Sequence, residues 1–117
     1  MSLWVWIGVA LLGGAGAVAR FVLDAVISAR SDGELPLGTL TVNLSGAFVL
    51  GLLTGRNVVG NAMLLAGTAT IGAYTTFSTW MLETHRLAED RAYRIAALNI
   101  VLSLAAGIGA AALGRVI

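Results

Sequence analysis

The chain has no cysteine and no lysine, one proline, one histidine, and few charges of either sign, since only 11% of its 117 residues are Asp, Glu, Lys or Arg. Without cysteine there is no disulfide framework and no thiolate chemistry. A single histidine, His85, leaves a zinc site short of the three or four protein ligands it needs. A net charge of +1 supplies no basic field for nucleic acid. The shortage of charge is the most informative absence. Soluble domains carry roughly a quarter charged residues, and a fold this small could not cover its surface with so few, so lipid is the expected solvent. The N-terminus has no basic stretch before its apolar run and no obvious cleavage site, so Leu3 to Val18 is read as part of the mature chain.

What is present is apolar sequence, 58% of the residues, in four stretches. They run over about 3–28, 37–55, 61–82 and 92–113. Each is near the ~20 residues that cross a bilayer core as a helix. Lipid leaves bare backbone unsatisfied, and these runs lack the short alternating pattern of barrel strands, so the expected fold is all-α with four transmembrane helices in one domain over residues 1–117. Arg30 to Pro36 is a polar helix stop, and Arg56 to Asn61 a tight turn. Glu83 to Arg94 is read as the charged connection between the last two spans. Arginines fall on both sides of the membrane with a weak bias, leaving open one fixed orientation or insertion both ways.

Small residues recur at helical spacing: Gly13, Gly14, Gly16 and Ala17 in the first span, Gly51 and Gly55 in the second, and Ser103, Gly107 and Ala111 in the fourth. They signal close helix packing in lipid. Four short helices enclose little space, so a pore or deep site forms more naturally between two chains.

Polar residues within spans are costly and therefore informative. Arg20 either snorkels to the interface, near Asp24, or sets a positive field at a vestibule. Asn43 is either a bridge between helices or a neutral donor for a small anion. The segment Gly72-Ala-Tyr-Thr-Thr-Phe-Ser-Thr-Trp80 concentrates hydroxyls and aromatics in an apolar span. Its hydroxyls at Thr75, Thr76, Ser78 and Thr79 compete for backbone groups, and Gly72 weakens the helix further, so a break is expected here, with a kinked continuous helix as the alternative. Phe77 and Trp80 share a helical face and carry ring edges with partial positive charge.

These elements, in this order, resemble the CrcB/Fluc family of bacterial fluoride channels over nearly the full length. The resemblance rests on Gly13-Gly-Ala-Gly-Ala-Val-Ala-Arg20, on Gly38-Thr-Leu-Thr-Val-Asn43-Leu-Ser-Gly46 with Gly51 following, on Gly72 to Thr79 with Glu83 following, and on Asn99 to Ser103. It implies an antiparallel, dual-topology homodimer in the cytoplasmic (inner) membrane, conducting fluoride passively through two pores at the dimer interface and so lowering its toxicity. By position it implies a pore lined by Asn43, Phe77, Trp80 and Ser103, with the hydroxyls of Thr76 and Thr79, and a vestibule at Arg20. It also implies a structural sodium ion held by the backbone carbonyls of Gly72 and Thr75 from both subunits. Two positions depart from the pattern. Trp80 stands where many members have Phe, and Asn99 where some have a pore-facing tyrosine. Glu83 matches an acidic position but takes no assigned role.

No nucleophile, base pair or redox centre is present, so no enzyme is expected. A small four-helix multidrug exporter needs a carboxylate inside its first span, and Leu3 to Ala19 contains none. A non-transporting membrane scaffold would share the glycine packing but leave Asn43 and the 72–80 cluster without a purpose.

Overall fold

The computed structural model describes all 117 residues, and every regular element is helical. Helix α1 spans Leu3–Ala29, started by Ser2, whose hydroxyl accepts the Val5 N–H at 3.4 Å. Pro36 sets the start of α2, Leu37–Gly55. A turn with Asn57 and Gly60 at φ 58° and 63° leads into the third span. That span has four parts: α3 (Gly60–Met63), a π-helical stretch (Leu64–Ile71), α4 (Gly72–Tyr74), and, after a break, α5 (Ser78–Glu89). The last helix, α6, is Tyr93–Val116.

Helices α1, α2 and α6 are each long and apolar enough to cross a membrane. Only 12 of 117 residues are buried, and large apolar side chains such as Trp4, Phe21, Val101 and Ile108 stand exposed. A soluble chain showing such a surface would aggregate, whereas in lipid it faces its own solvent.

Glycines set how the helices pair. A Cβ at Gly51 or Gly55 would fall on the carbonyl of Ala111 or Arg115, and one at Gly114 on the carbonyl of Phe48. Sequence numbers rise together across this contact, so α2 and α6 run parallel with their backbones touching. Gly8 lies against Leu65 and Gly16 against Thr70, which makes α1 and the third span parallel in the same way. First with third and second with fourth is the pairing that an up-down-up-down chain requires. Gly14 and Gly107, grouped with this packing by their spacing, have no neighbour within 4 Å of a Cβ.

The break expected between Gly72 and Trp80 is present, and it falls after Gly72, which is helical, at φ −59° and ψ −41°, and exposed. The chain leaves the helix at Thr75, where ψ is 164°, and re-enters at Ser78. The cause is a competing acceptor. Thr75 N–H still bonds back to Ile71 O at 2.9 Å, but the next donor, Thr76 N–H, goes to the side chain of Asn43. One local expectation is corrected: Glu83 to Glu89 continue α5 and are not a connection. An i,i+4 pair, His85 Nε2 to Glu89 Oε1 at 3.3 Å, lies on this stretch. The turn to α6 is confined to Asp90–Ala92, with Arg91 at φ 62°.

Candidate ion-conduction site

The site is built around the break. Asn43, on α2, meets the unwound backbone with both ends of its amide. Its Nδ2 donates to Thr76 O at 2.9 Å, and its Oδ1 accepts from Thr76 N–H at 2.9 Å. One side chain thus replaces the two helical bonds that Thr76 gives up. The Thr76 hydroxyl accepts Thr79 N–H at 3.2 Å, capping the first turn of α5. Gly46, one turn after Asn43, makes room, because a Cβ there would strike the Thr75 methyl. Tyr74 is tied to α2 by a 2.8 Å bond with Ser45 Oγ. Since Ser45 donates to Val42 O at 3.0 Å, the tyrosine hydroxyl is the donor in that pair.

Beside the break lies a cavity of about 350 Å³ lined by Asn43, Thr75, Thr76, Phe77, Trp80 and Ser103, with apolar walls from α2, Ile71 and Leu104. Five of the residues assigned to a pore by resemblance therefore share one space. Phe77 is 70% exposed and meets Trp80 edge-on, with ring centroids 5.7 Å apart and planes at 84°. Ser103 Oγ is buried with no hydrogen-bond partner. One spare hydrogen on Asn43 Nδ2 and the unbonded Ser103 hydroxyl are neutral donors, and no charged side chain lines the cavity.

Arg20 and Thr79 lie on a second cavity of about 210 Å³, with Phe21, Asp24, Thr39, Val42 and Thr76. Thr76 lines both spaces, so the break is the wall between them. Arg20 makes no ion pair with Asp24. Its Nη1 donates to Thr75 O at 3.4 Å, while Asp24 accepts from Ser28 at 3.1 Å. Thr39 Oγ1 and Glu83 Oε1 are buried and unbonded in this region. Gly72 lines neither space.

The sequence alone did not reveal the partners of Trp80. Its Nε1–H donates to Asn99 O at 3.2 Å. Asn99, 1% exposed, donates through Nδ2 to Thr84 Oγ1 at 2.8 Å. A buried asparagine facing a threonine across two helices was the available signal, hidden because Thr84 lay in a stretch read as a connection.

Comparison with known proteins agrees with this architecture. The family described as CrcB-like protein, Camphor Resistance (CrcB), matches residues 7–115. A protein of Mycolicibacterium paratuberculosis named fluoride-specific ion channel FluC 2 is 58% identical over 111 residues, covering 95% of this chain and 91% of its own. A protein of the same name from Mycobacterium tuberculosis is 52% identical over 115 residues, covering 98% and 91%. Fluoride-specific ion channel FluC 1 of Nocardia farcinica is 50% identical over 105 residues, covering 89% and 74%. With its apolar helices, its broken third span and these relatives, the chain is a multi-pass membrane protein that belongs to the CrcB family.

Proposed function

We propose that the chain is a fluoride-selective channel that lets fluoride leave the cell passively across the cytoplasmic membrane, working as an antiparallel homodimer. The observation that carries this is the cavity at the break, where neutral donors and aromatic edges converge without a fixed charge. Fluoride is small and strongly hydrated, so a pore must replace its water with donors. A cation fixed at close range would hold the ion, whereas amide and hydroxyl donors bind it weakly enough to release. The names of the relatives, which specify fluoride, support the choice of ion.

A second copy follows from what one chain leaves open. Phe77 at the cavity and Gly72 beside the break are both exposed, and a cavity walled on one side conducts nothing in lipid. Two chains related by inverted insertion would close the path and use the weak arginine bias recorded above.

The residues also suit a structural sodium ion. Because Thr76 N–H turns to Asn43 and the chain is unwound from Thr75 to Phe77, the carbonyls of Gly72, Ala73 and Tyr74 receive no backbone N–H from the next turn. Such neutral oxygens suit a hard cation. The carbonyls of Gly72 and Thr75 are the proposed ligands, and Thr75 O would exchange its long contact with Arg20 for the cation. When bound, sodium offsets the repulsion between freed carbonyls. One chain provides too few oxygens, so the partner copy supplies the rest.

The test is release of fluoride, followed with a fluoride electrode, from vesicles carrying the purified chain. Release far faster than from empty vesicles, with chloride retained, is expected; release no faster than from empty vesicles would overturn the proposal. Ser103→Ala gives a finer result. The hydroxyl has no partner in the chain, so unfolding in detergent should shift by less than about 0.5 kcal/mol. Fluoride release should slow by about tenfold or more, the loss of one donor to a charged group. Unslowed release would remove Ser103 from the path.

A further inference from the structure

The structure joins Trp80, Asn99 and Thr84 in one closed ring of hydrogen bonds. Trp80 Nε1–H donates to the Asn99 carbonyl at 3.2 Å. The Asn99 side chain donates through Nδ2 to Thr84 Oγ1 at 2.8 Å. The Thr84 hydroxyl donates to the Trp80 carbonyl at 2.8 Å, which returns the chain of bonds to its starting residue. The donor order is fixed by chemistry. The single Thr84 hydrogen is used on Trp80 O, so Thr84 can only accept from α6, and Asn99 must present its NH2 group.

We infer that Asn99 and Thr84 are positioning residues that set the angle of the Trp80 ring at the cavity, and that Trp80 offers the ion a ring edge but not its N–H. Asn99 and Thr84 are both buried, so their bond is shielded from water, and it joins α5 to α6. It holds Asn99 O at the register where the indole N–H meets it. With one end of the indole held, its plane is set at 84° to Phe77, whose ring shares the cavity. A phenylalanine at position 80 has no N–H and would need no such anchor. The inference about conduction rests on the fluoride reading; the inference about the indole does not.

The test uses the full chain in lipid vesicles, with Trp4→Phe and Trp6→Phe so that Trp80 is the only tryptophan. Thr84→Val keeps the side-chain shape and removes the hydroxyl. The Trp80 emission is expected to change its maximum or anisotropy, and fluoride release is expected to slow by about tenfold, the size of one coupled buried interaction. Thr84→Ser keeps the hydroxyl and should restore both readouts, which separates lost positioning from misfolding. Against a Trp80→Phe reference, Thr84→Val should change release by less than about twofold, because the anchored group is gone. Unchanged Trp80 emission in Thr84→Val, or equal slowing with tryptophan and with phenylalanine at position 80, would overturn the inference. If the parent chain releases no fluoride, the channel reading fails by itself, and the emission of Thr84→Val still decides whether the ring of bonds holds the indole.

Discussion

Asn43→Asp is expected to lower fluoride release by at least about a hundredfold while leaving the protein folded. The carboxylate keeps one oxygen for Thr76 N–H, so the acceptor half of the clamp survives. The other half inverts. An oxygen now faces Thr76 O where Nδ2 donated at 2.9 Å, so attraction becomes repulsion. The substitution also places a fixed negative charge on a cavity that has none. Two like charges about 4–5 Å apart repel by roughly 3–4 kcal/mol at an effective dielectric near 20, and each 1.4 kcal/mol is about tenfold. Asn43→Leu separates the two jobs of the residue. It removes the spare donor without adding charge, but it strands both backbone groups of Thr76, so a stability loss of about 2–4 kcal/mol is expected with it. Flux assays read the first variant, and thermal unfolding in detergent reads the second. Full-rate release in Asn43→Asp would move the ion path away from the break.

The second large effect is structural. Gly51→Leu should abolish the monodisperse protein peak on size-exclusion chromatography, or lower unfolding stability by about 3 kcal/mol or more. The carbonyl of Ala111 occupies the space where a Cβ would go, and backbone cannot move aside as a flexible side chain can. The whole of α6 would have to retreat from α2, carrying Ser103 away from the cavity and Asn99 away from Thr84. Gly107→Ala is the matched control, since a Cβ there meets nothing within 4 Å, and its effect should stay within about 0.5 kcal/mol. A Gly51→Leu chain as stable as its parent would refute the close α2–α6 approach.

The helices were legible in the sequence because they depend on composition and length, and because Pro36 and the polar stretches around it punctuate the chain. The break was legible from the hydroxyls crowded between Gly72 and Trp80, but not the residue at which it falls. Glycine marks where a helix is cheap to break, whereas the break occurs where another helix offers better bonds, at Thr76 opposite Asn43. That contact spans 33 positions, and no local pattern announces it. The π-helical stretch was hidden for a similar reason. Thr70 Oγ1 donates back to Leu65 O at 2.7 Å, a bond within a sequence that reads as ordinary apolar helix. The charge from Glu83 to Glu89 does not mark a helix boundary, because an amphipathic helix can continue past the membrane surface. The Trp80 N–H is bonded to Asn99 O, a contact between helices that the sequence does not announce. The pore list itself came from resemblance, and the structure adds that Asn43, Thr76, Phe77, Trp80 and Ser103 share one cavity while Arg20 and Thr79 lie on the next.

The central claim is that fluoride passes the aromatic edges at the break. Fluoride and chloride release should therefore be measured side by side from identical vesicles carrying the parent chain or Phe77→Ile. Isoleucine keeps the bulk of an exposed side chain and removes the ring edge. The account predicts rapid fluoride release with chloride retained for the parent, and fluoride release near the empty-vesicle rate for Phe77→Ile. Equal fluoride release from the two proteins would contradict it.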